Sequence, residues 1–151
     1  MADSTHDTLD HIHKVQARIE EIRNRLMIRA AHHDESKLVE PEKSGFDVLT
    51  FQLASLVYGS DEYRAALKAG EPTITHHYQH ALNTHHPEHW PNGINDMSLI
   101  DIVEMLADWK GASERTKQGS IAASLAHNKE RFGISDQLAA ILENTVQELG
   151  W

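Results

Sequence analysis

Apolar residues recur at three- and four-residue intervals along most of this chain, beginning with Leu9, Ile12, Val15, Ile19 and Ile22. That spacing loads one side of a helix, whereas a strand needs alternation. No hairpin dipeptide sits between alternating apolar runs, and β-branched residues do not cluster. The pattern therefore predicts an all-α fold: a single-domain helical bundle of about seven to eight helices spanning residues 1–151, a length that buries a core without staples.

Capping and breaking residues divide the pattern. A first helix is expected over 5–23 and a second over 24–37. A third is expected over 46–58, after Pro41 and Gly45, with Leu49, Leu53, Leu56 and Val57 on one face and Gly59 at its end. Ser60 caps a short fourth helix over 61–69, and a fifth covers 73–83. A loop over 85–95 carries Pro87, Pro91 and Gly93. Ser98 and Asp101 have the spacing of a capping box at the start of a sixth helix, 99–116. Gly119-Ser120 opens a seventh, Gly133 closes it, and Ser135 caps an eighth that reaches Leu149.

The charge balance narrows the partners. Twenty-three acidic residues against fourteen basic ones give a net charge of −9 with His neutral, which disfavours strong nucleic-acid binding. The one basic concentration, Arg18, Arg23, Arg25 and Arg29, is interleaved with Glu20 and Glu21 and reads as a solvated helix face. No stretch is apolar enough to cross a membrane and no signal segment is visible, so a cytoplasmic location is expected. Trp90, Trp109 and Trp151 fit core, pocket or interface, and homo-oligomer formation stays open.

Twelve His and no Cys restrict any metal centre to nitrogen and oxygen donors, with Mn, Co, Fe, Ni, Zn or Mg as the eligible divalent ions. Three groups of donors fall on or beside predicted helices: His11 with His13, the doublet His33-Asp34, and Asp101, Glu104 and Asp108. A bundle brings such residues together in its interior. On one straight helix His11 and His33 would stand about 33 Å apart, so a shared ion requires a reversal near Arg23-Asn24. On the sixth helix Asp101, Glu104, Met105 and Asp108 form one face, and Leu99, Ile102, Val103 and Leu106 the other, which by itself describes an amphipathic helix with a wet acidic side. Six histidines, His76, His77, His80, His85, His86 and His89, crowd a short segment, and as a group they favour a site.

In this arrangement the chain resembles the HD-domain metal-dependent phosphohydrolase superfamily. The segment 11–15 resembles its first element, 30–37 its His-Asp doublet with a downstream Lys, and 106–112 its last element, in which an Ala-Asp pair is followed by Ala. Tyr58-Gly59-Ser60, the segment 85–89 and the segment 104–109 also resemble a compact phage and bacterial HD-like group. The resemblance implies that His11, His33, Asp34 and Asp108 hold a divalent ion, that Lys37 reaches a phosphate oxygen, and that His85 and His86 serve a second ion. His13 and Asp101 compete for the first and last of these places, and Ser36 stands where the family often has Gly.

One or two ions would supply the charge neutralisation and the hydroxide that phosphate hydrolysis needs. Glu104 or one of His77, His80 and His86 would be the general acid or base. The substrate implied by the resemblance is a small-molecule nucleotide. A noncatalytic alternative is a helical module whose histidines bind metal structurally or sense pH at an interface.

Overall fold

The computed structural model describes residues 3–56, 60–115 and 119–151, and among them the fold is all-α, as the periodicity predicts, with seven α-helices and no strand. None of these helices is long and apolar enough to cross a membrane. Inter-residue contacts separate residues 1–32 from residues 33–151.

The first unit is one helix, α1, Thr5–His32, with no buried residue. The expected break at Arg23-Asn24 is not formed. Nothing in the segment interrupts a helix: it has no Gly or Pro, and the pairs Lys14–Asp10, Arg18–Glu21 and Arg23–Glu20 lie one turn apart. Each such pair adds a few tenths of a kcal/mol to helix continuity. His11 and His32 thus stand about 32 Å apart on one axis, and the two arms of the helix do not fold back on one another.

The second unit begins where the helix stops. Asp34 adopts a left-handed conformation, φ 57° and ψ 13°, and leads into a 3-10 turn, Glu35–Leu38. Then come α2 (Glu42–Ala54), α3 (Asp61–Ala69), α4 (Glu71–Gln79), 3-10 turns at Pro87–His89 and Gly93–Asp96, α5 (Leu99–Ser113), α6 (Ile121–Phe132) and α7 (Asp136–Leu149). The third and fifth helices start earlier than expected and end earlier. The expected end of the third at Tyr58 and Gly59, with Val57 on its face, and of the sixth at Thr116 lie outside the described residues. Ser60, Ser98, Ser120 and Ser135 cap α3, α5, α6 and α7 through their side-chain oxygens, and Gly133 closes α6 with φ 61°.

The core gathers Met105, Leu106 and Trp109 of α5, Ile121 and Leu125 of α6, Ile134, and Ala139, Leu142 and Val146 of α7. Each aliphatic side chain buried there contributes about 1.5–3 kcal/mol. Trp109 stacks on Phe132 with rings 4° from parallel, so Trp109 belongs to the core. The other half of the unit is α2 packed on α3, on α4 and on the Glu35–Leu38 turn. That approach depends on Gly45, because a Cβ there would overlap the Thr73 side chain of α4. It sets Glu42 beside His76 and His77.

Candidate metal centre

Asp34 is a non-glycine residue at positive φ, a conformation that costs energy and is concentrated at functional positions. It ends the helical path so that His33 and Asp34 face inward together. From there the site is assembled by four further segments.

His33 donates from Nδ1 to Glu104 Oε1 at 2.9 Å, which leaves its Nε2 3.6 Å from Asp108 Oδ1 and 3.7 Å from Asp34 Oδ2. His77, 2% exposed, is held in the same way: its Nδ1 lies 2.8 Å from Glu42 Oε2, and its Nε2 points at Asp34 Oδ1, 3.2 Å away. His85 is fully buried, with Nδ1 3.2 Å from Glu104 Oε1, near enough for attraction but off the line of a hydrogen bond, and Nε2 3.7 Å from Asp34 Oδ1. His86 Nε2 sits 3.0 Å from His77 Nε2. Two buried carboxylates, Glu42 and Glu104, therefore hold imidazoles at Nδ1, and the Nε2 atoms converge on Asp34 and Asp108.

This is how metal-ligating histidines are oriented, one ring nitrogen fixed by a carboxylate and the other free to coordinate. Three observations test whether an ion fits. His85 Nε2 is buried without a hydrogen-bond partner 3.7 Å from the buried Asp34 Oδ1, an expensive condition that a cation between them would relieve. His77 Nε2 and His86 Nε2 face one another at 3.0 Å, a contact that needs a proton on one ring nitrogen or a cation beside both. Donor separations of 3.0, 3.2 and 3.7 Å also bracket the edges of a coordination shell with ligands at about 2.0–2.2 Å, whose tetrahedral edges are about 3.3–3.6 Å. The sets Asp34, His77, His85, His86 and His33, Asp34, Asp108 share Asp34, as they would around two neighbouring ions.

The local electrostatics agree. Asp108, followed by Glu104, raises the His33 imidazole to about 10, so the metal-free protein holds a proton there at neutral pH. Burial pushes the Asp34 carboxyl upward, but His77 and the Lys37 ammonium outweigh it and keep the group well below the usual carboxylate range. His86 is driven down to about 3 by burial and by His85 and His77, which leaves a neutral ring ready to coordinate.

The surrounding loop explains how His85 and His86 arrive. His89 Nδ1 donates to the Tyr78 carbonyl at the end of α4, and Trp90 Nε1 donates to the Thr84 carbonyl, both at 2.8 Å, clamping the segment between them. Trp90 thus braces the site wall. Ser36 Oγ donates to Glu42 Oε2 at 2.8 Å, and Asn83 Nδ2 donates to Ser36 Oγ and to the His77 carbonyl, closing a buried polar shell.

Several expectations are revised. Asp101 is spent on the helix terminus: its Oδ2 accepts from Ser98 N at 2.9 Å in a capping box, and Thr84 Oγ1 donates to its other oxygen. Asp108, rather than Asp101, lies near His33, its Oδ1 3.6 Å from His33 Nε2. The acidic side of α5 is not wet: Asp101 is 5% and Glu104 7% exposed, whereas Leu99 is 76% and Val103 46% exposed. The carboxylates are buried because imidazoles and cap donors meet them. Glu104 Oε1 stands 2.9 Å from His33 Nδ1 and 3.2 Å from His85 Nδ1, and the three side chains form a further group that could hold an ion. His80 is not in the cluster; its Nδ1 accepts from Leu82 N at 3.4 Å just after α4. His11 and His13 belong to no ion-holding group among the described residues. Lys37 is paired with Asp34 Oδ2 at 2.6 Å and lies over the Phe46 ring.

Glu42, Ser36 and Asn83 carry no motif, and only pairing with His77 across the fold identifies them. The Ser36 hydroxyl links the doublet segment to Glu42. No curated protein and no solved structure matches the chain. Residues 1–148 match a family model, and the chain belongs to that family, described as a family of unknown function (DUF5662).

Proposed function

We propose that this protein is a metal-dependent phosphohydrolase of HD type, acting on a phosphate ester or anhydride. The observation that carries the reading is the convergence of the His33, His77, His85 and His86 Nε2 atoms on Asp34 and Asp108, beside a lysine and an open cavity. With several imidazoles in the set, a transition ion such as Mn, Fe, Co, Ni or Zn suits it better than Mg, which prefers oxygen and retained water.

A bound divalent ion supplies a Lewis acid and lowers the pKa of water toward neutrality. The protein's residues do the rest. Glu42 fixes the tautomer of His77, and Glu104 that of His33. Lys37 stands between Asp34 and the cavity, placed to neutralise a phosphate oxygen. Water adds to phosphorus as the ester P–O bond breaks, giving phosphate and the alcohol. The HD resemblance makes a nucleotide the first substrate to try.

The test is elemental analysis of the purified protein together with phosphate or pyrophosphate release from a nucleotide and aryl-phosphate panel with Mn, Co or Mg. Asp34→Ala is expected to lose both bound metal and turnover. Turnover that is equal with and without metal, and equal in the variant, refutes the proposal. The closed surroundings of His77 and His85 favour one other reading, a structural ion. In that case chelation lowers the melting temperature and no substrate is turned over.

A further inference from the structure

Between α2, α3 and α4 lies a cavity of about 900 Å³ whose wall reaches the metal centre at His77 and His86. The size is that of a small-molecule site, since such pockets run to roughly 300–1,000 Å³. Its lining is of two kinds. His77, His86 and Lys37 line it together with Phe46, Leu49, Leu53, Leu67 and Ile74, and Arg115 is also on the lining. Leu49 is packed down against Gly70, where a Cβ would stand 2.9 Å from Leu49 Cδ1, so this part of the wall is close-fitting. Asp47, Thr50 and Tyr78 are the lining residues, apart from the cationic and imidazole groups, that offer polar side-chain atoms.

We propose that this cavity takes the organic body of the substrate, and that the substrate is a phosphate ester with an apolar or aromatic body, selected by bulk and apolarity rather than by polar reading of its edges. The inference rests on the phosphohydrolase reading for the fate of the phosphate and on the cavity alone for the body. The anionic head lies toward Lys37 and the imidazoles, and the body lies against Phe46 and Leu53 of α2 and Ile74 of α4. A polyhydroxylated sugar would strip water from its hydroxyls against aliphatic side chains with few replacements, which is unfavourable. An aryl group or a nucleobase face gains from the same wall.

Binding is measured without turnover on the metal-free full chain, by fluorescence for 1-naphthyl phosphate and by competition for glucose 6-phosphate, inorganic phosphate and the four deoxynucleoside monophosphates. The expected result is at least tenfold tighter binding of 1-naphthyl phosphate than of glucose 6-phosphate, with the four nucleotides within about threefold of one another. Thr50→Trp, at an exposed lining position, is expected to fill the cavity and weaken 1-naphthyl phosphate at least tenfold while leaving inorganic phosphate unchanged; Leu53→Ala, which enlarges it, is the second variant. Equal binding of the aryl and sugar esters, a tenfold preference for one base, or indifference to both substitutions overturns the proposal. Selective binding with no phosphate released from any ester after metal loading upholds the cavity assignment and removes the hydrolase reading instead.

Discussion

Replacing Glu42 by Gln is the sharpest test of how the centre is built, because Glu42 touches no candidate ion and acts only through the imidazoles it holds. Its side chain is 1% exposed and accepts from Ser36 Oγ at 2.8 Å, His76 Nδ1 at 2.9 Å and His77 Nδ1 at 2.8 Å. Glutamine keeps the volume and one acceptor oxygen but removes the charge, and its NH2 must face a group that now donates. His77 then loses either its anionic partner or its fixed tautomer, and its Nε2 becomes a weaker donor to the ion. Loss of such an outer carboxylate typically lowers metal affinity 10–100-fold, equivalent to about 1.4–2.7 kcal/mol. Titration calorimetry of the metal-free protein with Mn or Zn measures this directly, with circular dichroism confirming that the helices persist and Asp34→Ala setting the floor. An unchanged dissociation constant in Glu42→Gln, with binding abolished in Asp34→Ala, would refute the claim that the Glu42–His77 contact orients a ligand.

Asp101→Ala removes the capping box of α5 and is expected to cost about 1–3 kcal/mol, lowering the melting temperature by about 2–4 °C per kcal/mol while leaving metal affinity unchanged. Leu142→Ala in the α5–α7 core, at a site 3% exposed, is expected to cost about 2–5 kcal/mol in denaturant titrations, again without effect on the metal. Ion binding is expected to release a proton, because His33 is raised to about 10 by Asp108 and Glu104 and must shed that proton from Nε2. Affinity then rises up to about tenfold per pH unit from neutrality toward pH 10, and calorimetry in buffers of different ionisation enthalpy counts the proton. For the metal-free protein the sign follows from the raised folded-state value: the His33 contacts contribute stability that is fully present below the unfolded pKa of about 6.5 and is lost as pH rises through about 10.

The helices were legible where local chemistry decides them. Serine caps at 60, 98, 120 and 135 and the left-handed Gly133 mark boundaries through bonds made within a few residues, and those boundaries hold. The break inside α1 was an inference from function, made because His11 had to meet His33. No local residue demanded it, and the helix continues. The polarity of α5 failed for a related reason: an amphipathic pattern states which residues differ, but not which side meets water. Asp101 and Glu104 are buried because Thr84 and His33 approach them from elsewhere in the chain, and Leu99 and Val103 are exposed by the same rotation.

The site itself was half legible. The His33-Asp34 doublet, Asp108 and the His85-His86 pair were recognised by residue type and order, whereas the choice between Asp101 and Asp108 needed geometry. What no sequence pattern disclosed is the direction of each ring, which depends on Glu42 and Glu104 reaching across the fold to Nδ1. That direction also limits what the cluster can be. A buried acidic group beside protonated histidines could be a mere ion-pair network, and such networks shift pKa values as strongly as catalytic sites do. In a mere network each imidazole nitrogen would find a proton or an acceptor. Here His85 Nε2 is left without a partner 3.7 Å from Asp34 Oδ1, and His77 Nε2 and His86 Nε2 face one another 3.0 Å apart. His85 Nε2 has no hydrogen bond within the chain, and a divalent cation at the meeting point of the four groups would give it a partner.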